Sequence, residues 1–330
     1  MPRSPSRPPS QPRRRLLQGA LGVAAMSTFG GPLAFRTLAA EHGLESRTRA
    51  GLAFGTTVAL TVAGPDAGTL DGALSDGFAA MRAVEAAGSL LRADSALSRL
   101  NRAGRLDAPP EHLLTMLRFA LDLAERTEGA FDPTVQPLWP VWAEASARGA
   151  RPDPATLRAA VACIGWRRVS VATDRILLEP GTALTLNAVI QGYAADRAMA
   201  ALRARGIADA FVDTGEFGAA GTHPDGTPWR LGIADPRDPG TLAATLAPFT
   251  GFAATSGDYN MSFSPDHADH HIFDPATGYS PGGLSSVTVT AETGLVADGL
   301  STACMVLGAE RGQRLVAGWP GCSARFVGKT

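Results

Sequence analysis

The chain has 330 residues, of which 45% are hydrophobic and 18% charged. This is enough apolar material for one large or two small cores, so disorder is excluded outside the ends. Residues 1–40 hold six of the 30 basic side chains and no acidic one, so the rest has a net charge of −7. A net negative charge does not indicate nucleic-acid binding. After residue 40 no apolar run is long enough to predict a membrane span.

Lysine and cysteine usage exclude further classes of protein. Lys329 is the only lysine. Schiff-base enzymes and phosphate-loop NTPases need a positioned lysine amine, so both are excluded. Cys163, Cys304 and Cys322 form no Cys-x-x-Cys pair, and at least one lacks an intramolecular partner. We interpret them as buried thiols, with one disulfide left open.

Residues 1–40 are typical of an export signal. Arg13-Arg14-Arg15 precedes a mildly apolar stretch from Gly19 to Phe35, and small residues lie near Ala40. An arginine pair before such a stretch predicts a twin-arginine signal and a periplasmic location. An ordinary secretory signal or a disordered basic tail are the alternatives.

Residues 45–330 are predicted to form one domain without repeats. In chain order, the predicted elements are a strand at 53–63, helices at 71–91, 111–129 and from Pro154, a hairpin at 169–178, a helix at 187–205, strands at 210–212, 229–234, 252–255 and 285–290, and helices at 296–307 and 310–316. Strands and helices are mixed without strict alternation, which favours an α+β fold, a single mixed α/β domain. The sequence has no Gly-x-Gly-x-x-Gly turn after a predicted strand, which is evidence against a Rossmann fold.

Asp298 and Thr302 give the strongest chemical signal. Four residues apart on a predicted helix, they lie on the same face one turn apart. A carboxylate and a hydroxyl are hard oxygen ligands that suit Mg²⁺. The alternative is that Asp298 only caps the start of the helix.

The segment from Thr185 to Asp196 leads through small residues into a helix. Free backbone amides at a helix start bind phosphate, and small side chains let a pyrophosphate approach. A helix with a tight first turn is the simpler interpretation.

Three of the six histidines, His267, His270 and His271, lie in one segment with Asp269. They could form a transition-metal site, although adjacent loop histidines rarely converge on one ion. A loop histidine acting as general base is the second interpretation, and a solvated loop the third.

The segment from Gly129 to Trp139 is rich in turns and contains Phe131. Its aromatic side chains could border a flat ligand or fill the core.

The order and spacing of these segments resemble the ApbE family of FAD-dependent protein flavin transferases, and among them the exported NosX-type members of nitrous-oxide reductase systems. The resemblance covers almost all of the chain after residue 40. Its matching pieces are residues 54–56, 94–101, 129–138, 188–196, 213–216, 255–259, 271–278 and 297–302 with Gly308.

The resemblance implies that FAD is cleaved at its pyrophosphate. FMN passes to a threonine hydroxyl of a target protein as a phosphodiester, and AMP leaves. Mg²⁺ on the pyrophosphate oxygens would neutralise charge, which is what phosphoryl transfer mainly needs. The expected client is a threonine-bearing, membrane-anchored flavoprotein with a periplasmic domain, such as a NosR-type electron donor.

The resemblance also implies the site residues. Metal ligands carry over to Asp298, Thr302 and the Ala188 carbonyl, and His271 is expected to take the proton from the threonine. The positions expected to bind FAD are Phe54, Ala130, Phe131, Asp132, Thr185, Gln191 and Ser285.

Several positions depart from the family pattern. Gln191 stands where a lysine is usual, Thr185 where an aspartate is common, and Phe54 where a methionine often touches the flavin. The usual Gly-Gly-Asp is Gly215-Glu216-Phe217. A flavin-binding chaperone without transfer activity is therefore the main alternative; an FAD hydrolase and a copper-delivery protein are others.

Overall fold

The computed structural model describes residues 45–238 and 240–329, so the predicted export signal lies outside the described residues. Within them, no helix combines the length and apolar character needed to cross a membrane. The helices are α1 (Ala67–Gly88), α2 (Ala96–Ala103), α3 (Glu111–Arg126), α4 (Leu138–Ala147), α5 (Pro154–Val161), α6 (Ile190–Ala204) and α7 (Gly294–Ala317).

A seven-stranded sheet organises the molecule, and each neighbouring pair of its strands is antiparallel. In spatial order its strands are β1 (Glu45–Ala53), β2 (Thr56–Gly64), β6 (Asp209–Asp213), β7 (Phe217–Ala220), β10 (Gly251–Gly257), β11 (Leu284–Ala291) and β12 (Ser323–Gly328). Two small sheets contain β3 (Arg105–Asp107), β5 (Arg175–Leu178) and β4 (Val169–Val171), and β8 (Leu231–Ala234) and β9 (Leu242–Leu246). The predicted mixed α+β architecture is confirmed.

The core lies between this sheet and a helical layer. Val58, Leu60 and Val62 alternate along β2 and are fully buried, as expected for a strand with one face on the core. Helix α1 packs against α6, and α7 packs against α6, β10 and β11. This stacking brings the starts of α6 and α7 together at the ends of the central strands.

Some predicted elements need correction. The strand predicted at 53–63 is β2, preceded by a turn in which Phe54 and Gly55 have φ of 54° and 77° and by β1, which was missed. The segment 129–139 ends in helix α4, and β7, β9, β12 and α2 were also missed. The helices predicted at 296–307 and 310–316 are both present and are separated by a kink at Gly308.

Candidate active site

Helices α6 and α7 touch backbone to backbone where two glycines meet. A Cβ atom on Gly192 would overlap the Gly294 carbonyl, and a Cβ on Gly294 would overlap the Gly192 carbonyl. Only glycine lacks that atom, so this contact depends on both residues. The crossing fixes the first turn of α7 against the first turn of α6.

Asp298 bridges the two helices. Its Oδ2 accepts a hydrogen bond of 2.9 Å from the Gly192 amide, which is in the first turn of α6 and has no partner within that helix. Asp298 therefore does not cap its own helix, α7, as the alternative interpretation held; it binds a first-turn amide of α6. Thr293 caps α7, and the Asp196 carboxylate accepts hydrogen bonds from the Gly294 and Leu295 amides at 2.6 and 2.9 Å.

The other two predicted metal ligands lie at the two helices that Asp298 joins. Ala188 immediately precedes Val189, the N-cap of α6, and its carbonyl accepts no recorded hydrogen bond from the described residues. Thr302 lies one turn after Asp298 on α7, and its Oγ1 is 2.9 Å from the Ser256 Oγ at the end of β10. Ser256 also contacts the Ser301 hydroxyl at 2.8 Å. Asp298 and Thr302 thus lie on one stretch of α7, and Ala188 lies just before the start of α6, whose Gly192 binds Asp298.

Three acidic side chains with raised pKa values meet at the junction. Burial, opposed by the Gly192 hydrogen bond and aided by the charge of Asp196, raises the pKa of Asp298 to about 7. Burial and the nearby Asp298 also hold the pKa of Glu216 well above its usual value, and burial raises the pKa of Asp196 to about 6. Among the described residues, no arginine or lysine forms an ion pair with any of these three carboxylates.

These oxygen donors fit a hard divalent cation. A carboxylate, a hydroxyl and a carbonyl without a hydrogen-bond partner are ligands that Mg²⁺ accepts. A bound cation would also stabilise the ionised form of Asp298, which burial disfavours. The Gln191 amide, which donates no recorded hydrogen bond within the described residues, lies at the same helix start. Such an amide suits a phosphate oxygen.

His271 makes a hydrogen bond that suits the role of general base predicted for it. Its Nδ1 lies 3.1 Å from the Met261 carbonyl. A carbonyl can only accept, so this hydrogen bond places the proton on Nδ1 and leaves the Nε2 lone pair free. Burial lowers the pKa of His271, which favours the neutral ring that can take up a proton. His271 lies in the segment that follows β10, the strand that contains Ser256.

The histidine cluster does not form a metal site. The described residues contain no group of three or more histidine, cysteine, aspartate or glutamate side chains arranged to hold an ion. His270 is fully buried and its Nε2 lies 3.2 Å from the Pro281 carbonyl.

The side chains of Gln191 and Thr185, two predicted FAD-binding positions, contact neighbouring backbone. The Gln191 Nε2 donates to the Thr214 carbonyl at 2.7 Å. The Thr185 Oγ1 accepts from the Asn187 amide at 3.2 Å, and the Thr185 amide donates to the Pro133 carbonyl. This second bond brings the segment containing Ala130 close to Thr185.

The remaining predicted FAD-binding side chains have structural contacts. Asp132 is buried and accepts from the Thr134 hydroxyl and the Trp166 amide. Phe131 lies in the core, and the Ser285 Oγ donates to the Gly328 carbonyl at 3.0 Å. Phe54 donates its amide to Glu85 at 2.7 Å.

A cavity of about 330 Å³ lies between α6 and the start of α7, and none of the predicted site residues lines it. It is bordered by Arg197, Arg203, Phe252 and Glu292, and it reaches the start of α7 at Asp196, Thr293 and Leu295. Phe252 begins β10, whereas Ser256 near its end contacts Thr302. The cavity therefore does not coincide with the candidate site.

Sequence reasoning missed Asp196, Glu216 and Ser256 as parts of the site. Asp196 binds the first amides of α7, and Glu216 accepts from the Thr255 amide at 3.0 Å. Each belongs to a segment that the sequence singled out, but their proximity to Asp298 depends on helix crossing and strand pairing that spacing does not encode.

Fold and site together define a mixed α/β protein with an oxygen-lined junction suited to a cation and a phosphate. The chain belongs to the ApbE family, whose model matches residues 54–326. The FAD:protein FMN transferase of Treponema pallidum is 32% identical over 303 residues, which cover 85% of this chain and 84% of that protein. The FAD:protein FMN transferase of Salmonella typhimurium is 34% identical over 241 residues, 69% of each chain.

Solved structures agree with this assignment. The ApbE protein of Thermotoga maritima superposes with a TM-score of 0.77 at 28% identity and covers 86% of this chain and 94% of its own. The apo flavinyl transferase ApbE of Pseudomonas stutzeri gives a TM-score of 0.75 at 31% identity and covers 87% of this chain and 92% of its own.

Proposed function

We propose that this protein is an FAD:protein FMN transferase that depends on Mg²⁺. The observation that carries the proposal is the α6–α7 junction, where Asp298 binds the Gly192 amide and Thr302 lies one turn further along α7. The relatives with this activity in their names, matched over most of the chain, support it.

The predicted site residues have different roles in phosphoryl transfer. Asp298, Thr302 and the Ala188 carbonyl would hold the cation, which supplies charge neutralisation on the pyrophosphate. His271 Nε2 takes the proton of the client threonine. The threonine oxygen forms a bond to the FMN phosphorus, the bond from that phosphorus to the bridging oxygen breaks, and AMP leaves.

The proposed biological setting follows from the resemblance to NosX-type members. We propose export to the periplasm and a membrane-anchored, NosR-like client that supports nitrous-oxide reductase. Residues 1–40 fused to a reporter protein should direct it to the periplasm, and replacing Arg13 and Arg14 by lysine should stop export. Unchanged export of that variant would contradict the twin-arginine signal.

The decisive experiment measures AMP and flavinylated client after incubation with FAD, Mg²⁺ and a threonine-bearing client domain. Asp298→Ala should lower both products at least 100-fold, because it removes the only charged predicted ligand. Asp122→Ala, at an exposed aspartate paired with Arg126 on α3, is the matched control and should retain full activity. Full activity of Asp298→Ala would contradict the metal assignment.

The same assay separates the alternatives. The Gln191 side chain binds the Thr214 carbonyl where the family usually has a lysine, and this favours a flavin chaperone as the second candidate. A chaperone would retain FAD without releasing AMP. A hydrolase would release AMP at the same rate with and without client.

A further inference from the structure

Asp258 is a buried carboxylate outside the proposed metal junction, and two cations contact it. It is fully buried just after β10. Arg237, from the β8–β9 connection, donates to both of its oxygens at 2.8 Å. The Lys329 Nζ lies 3.4 Å from Oδ2. Three segments that are distant in sequence therefore meet at the Asp258 carboxylate.

Lys329 makes a second contact that leads towards His271. Its Nζ donates to the His267 carbonyl at 2.8 Å, and its amide donates to the Gly283 carbonyl at 3.3 Å. Lys329 therefore joins the beginning, the middle and the end of the segment 258–283, which carries the candidate base. Its side chain is 18% exposed, which is low for lysine.

The same segment sets the orientation of the His271 ring. The His271 amide and its Nδ1 both lie within hydrogen-bond distance of the Met261 carbonyl. Met261 lies between Asp258 and His267, the two points that Lys329 holds. A shift in this stretch would rotate the imidazole, and a misplacement of about 1 Å can cost on the order of 100-fold in rate.

We propose that Lys329 is a positioning residue of the transfer reaction: through Asp258 and the His267 carbonyl it fixes the segment that orients His271. This inference rests on the proposed function for its link to catalysis. The ionic contacts by themselves would only anchor β12, so the test needs readouts that separate anchoring from positioning.

The experiment compares Lys329→Ala, Lys329→Arg and Arg325→Ala, a control on β12, the strand that Lys329 directly follows. Among the described residues the Arg325 side chain donates to the Ala243 carbonyl. We expect Lys329→Ala to lower kcat by about 10- to 100-fold with KM for FAD changed less than about threefold. Lys329→Arg should restore most of kcat, because guanidinium can contact both partners. Arg325→Ala should leave kcat unchanged.

Hydrogen exchange provides a readout independent of activity. Amides of residues 259–271 should exchange at least 10-fold faster in Lys329→Ala, while those of α1 stay unchanged. As the only lysine, Lys329 can also be followed by acetylation, and it should react more slowly than an exposed amine. Unchanged kcat, or equal losses of kcat in the alanine and arginine variants, would overturn the positioning role. If the wild type transfers no FMN, the proposed function fails, and exchange and acetylation still decide whether Lys329 holds the segment.

Discussion

At the scale of single residues, Gly192 is the position where the site tolerates least change. A Cβ there would overlap the Gly294 carbonyl and lie 2.7 Å from the Asp298 Cβ. Gly192→Ala should push α6 and α7 apart, lower the free energy of unfolding by about 1–3 kcal/mol and abolish AMP release. Urea unfolding and the FAD assay measure the two effects.

Gly282→Ala is the control for this substitution, because no atom lies within 4 Å of the Cβ it would add. Its stability should stay within about 0.5 kcal/mol of the wild type, with full activity. Wild-type activity in Gly192→Ala would show that the site does not depend on the glycine contact.

His270 makes stability depend on pH. Its Nε2 contacts the Pro281 carbonyl, and its Nδ1 faces the Ile272 amide, so the neutral ring satisfies both neighbours. Burial lowers the pKa of His270 to about 4; the Pro281 hydrogen bond and Asp258 oppose this, and the charges of His271 and Lys329 add to it. The unfolded chain binds this proton near pH 6.5, so the contribution is present above pH 6.5 and is lost as the pH falls towards 4. The stability lost through His270 between pH 7 and pH 5 is about 2 kcal/mol.

Other groups oppose this dependence, so the measurement needs a difference between variants. Asp196 and Asp298 have raised pKa values, and the folded state therefore takes up their protons as the pH falls. Urea unfolding at pH 7 and pH 5 should show that His270→Gln loses less stability on acidification than the wild type. An equal loss in both proteins would exclude His270 as the source.

At the scale of elements, α7 depends on a break that only glycine accommodates well. Gly308 has φ 76° and ψ 173°, a conformation that side chains disfavour, and no atom lies within 4 Å of its missing Cβ. Gly308→Ala should therefore cost about 1–3 kcal/mol through backbone strain alone. Thermal unfolding measures it.

Gly68→Ala in the first turn of α1 is the contrasting control. The same atom is added in a helical conformation, and stability should rise by about 0.5–1 kcal/mol. A neutral or stabilising effect of Gly308→Ala would mean that the kink is absent in solution.

The sequence predicted elements well where one periodic pattern dominates. Helix α1 and the β4–β5 hairpin follow from their apolar spacing and turn residues. The short strand β7 contains only Phe217-Gly-Ala-Ala, and β12 alternates weakly, so pairing with β10 and β11 decides both. Helix α4 begins in a proline-rich segment whose local signals indicate turns.

At the scale of the whole molecule, the site arises from contacts that no local pattern contains. Gly192 and Asp298 are 106 residues apart in sequence. The spacing of Asp298 and Thr302 predicted a shared helical face, whereas the Ala188 carbonyl as a third ligand came only from the family resemblance. Capping of α7 by Asp196 could not be predicted, because it requires the helix crossing itself.

The segment that carries His271 packs partly on a second, smaller core through Phe263 and Phe273, whereas Ile272 belongs to the main core. Trp142, Phe263 and Phe273 stack in the smaller core, and the Trp142 Nε1 donates to the Gly278 carbonyl at 2.8 Å. Trp142→Phe removes this hydrogen bond and part of the stack. Because the cluster is separate, residues 259–279 should open locally while the main sheet stays closed. Hydrogen exchange should accelerate in that segment, and kcat should fall more than KM changes.

Trp229→Phe is the matched control, because Trp229 is similarly buried in a third cluster and its Nε1 donates to the Ala220 carbonyl at 2.9 Å. Loss of this hydrogen bond should speed up hydrogen exchange around β7 and β8 and leave the exchange of residues 259–279 unchanged. Faster exchange across the whole chain in Trp142→Phe would instead mean that the clusters unfold as one unit. The orientation of His271 would then depend on the stability of the whole domain and not on the aromatic stack.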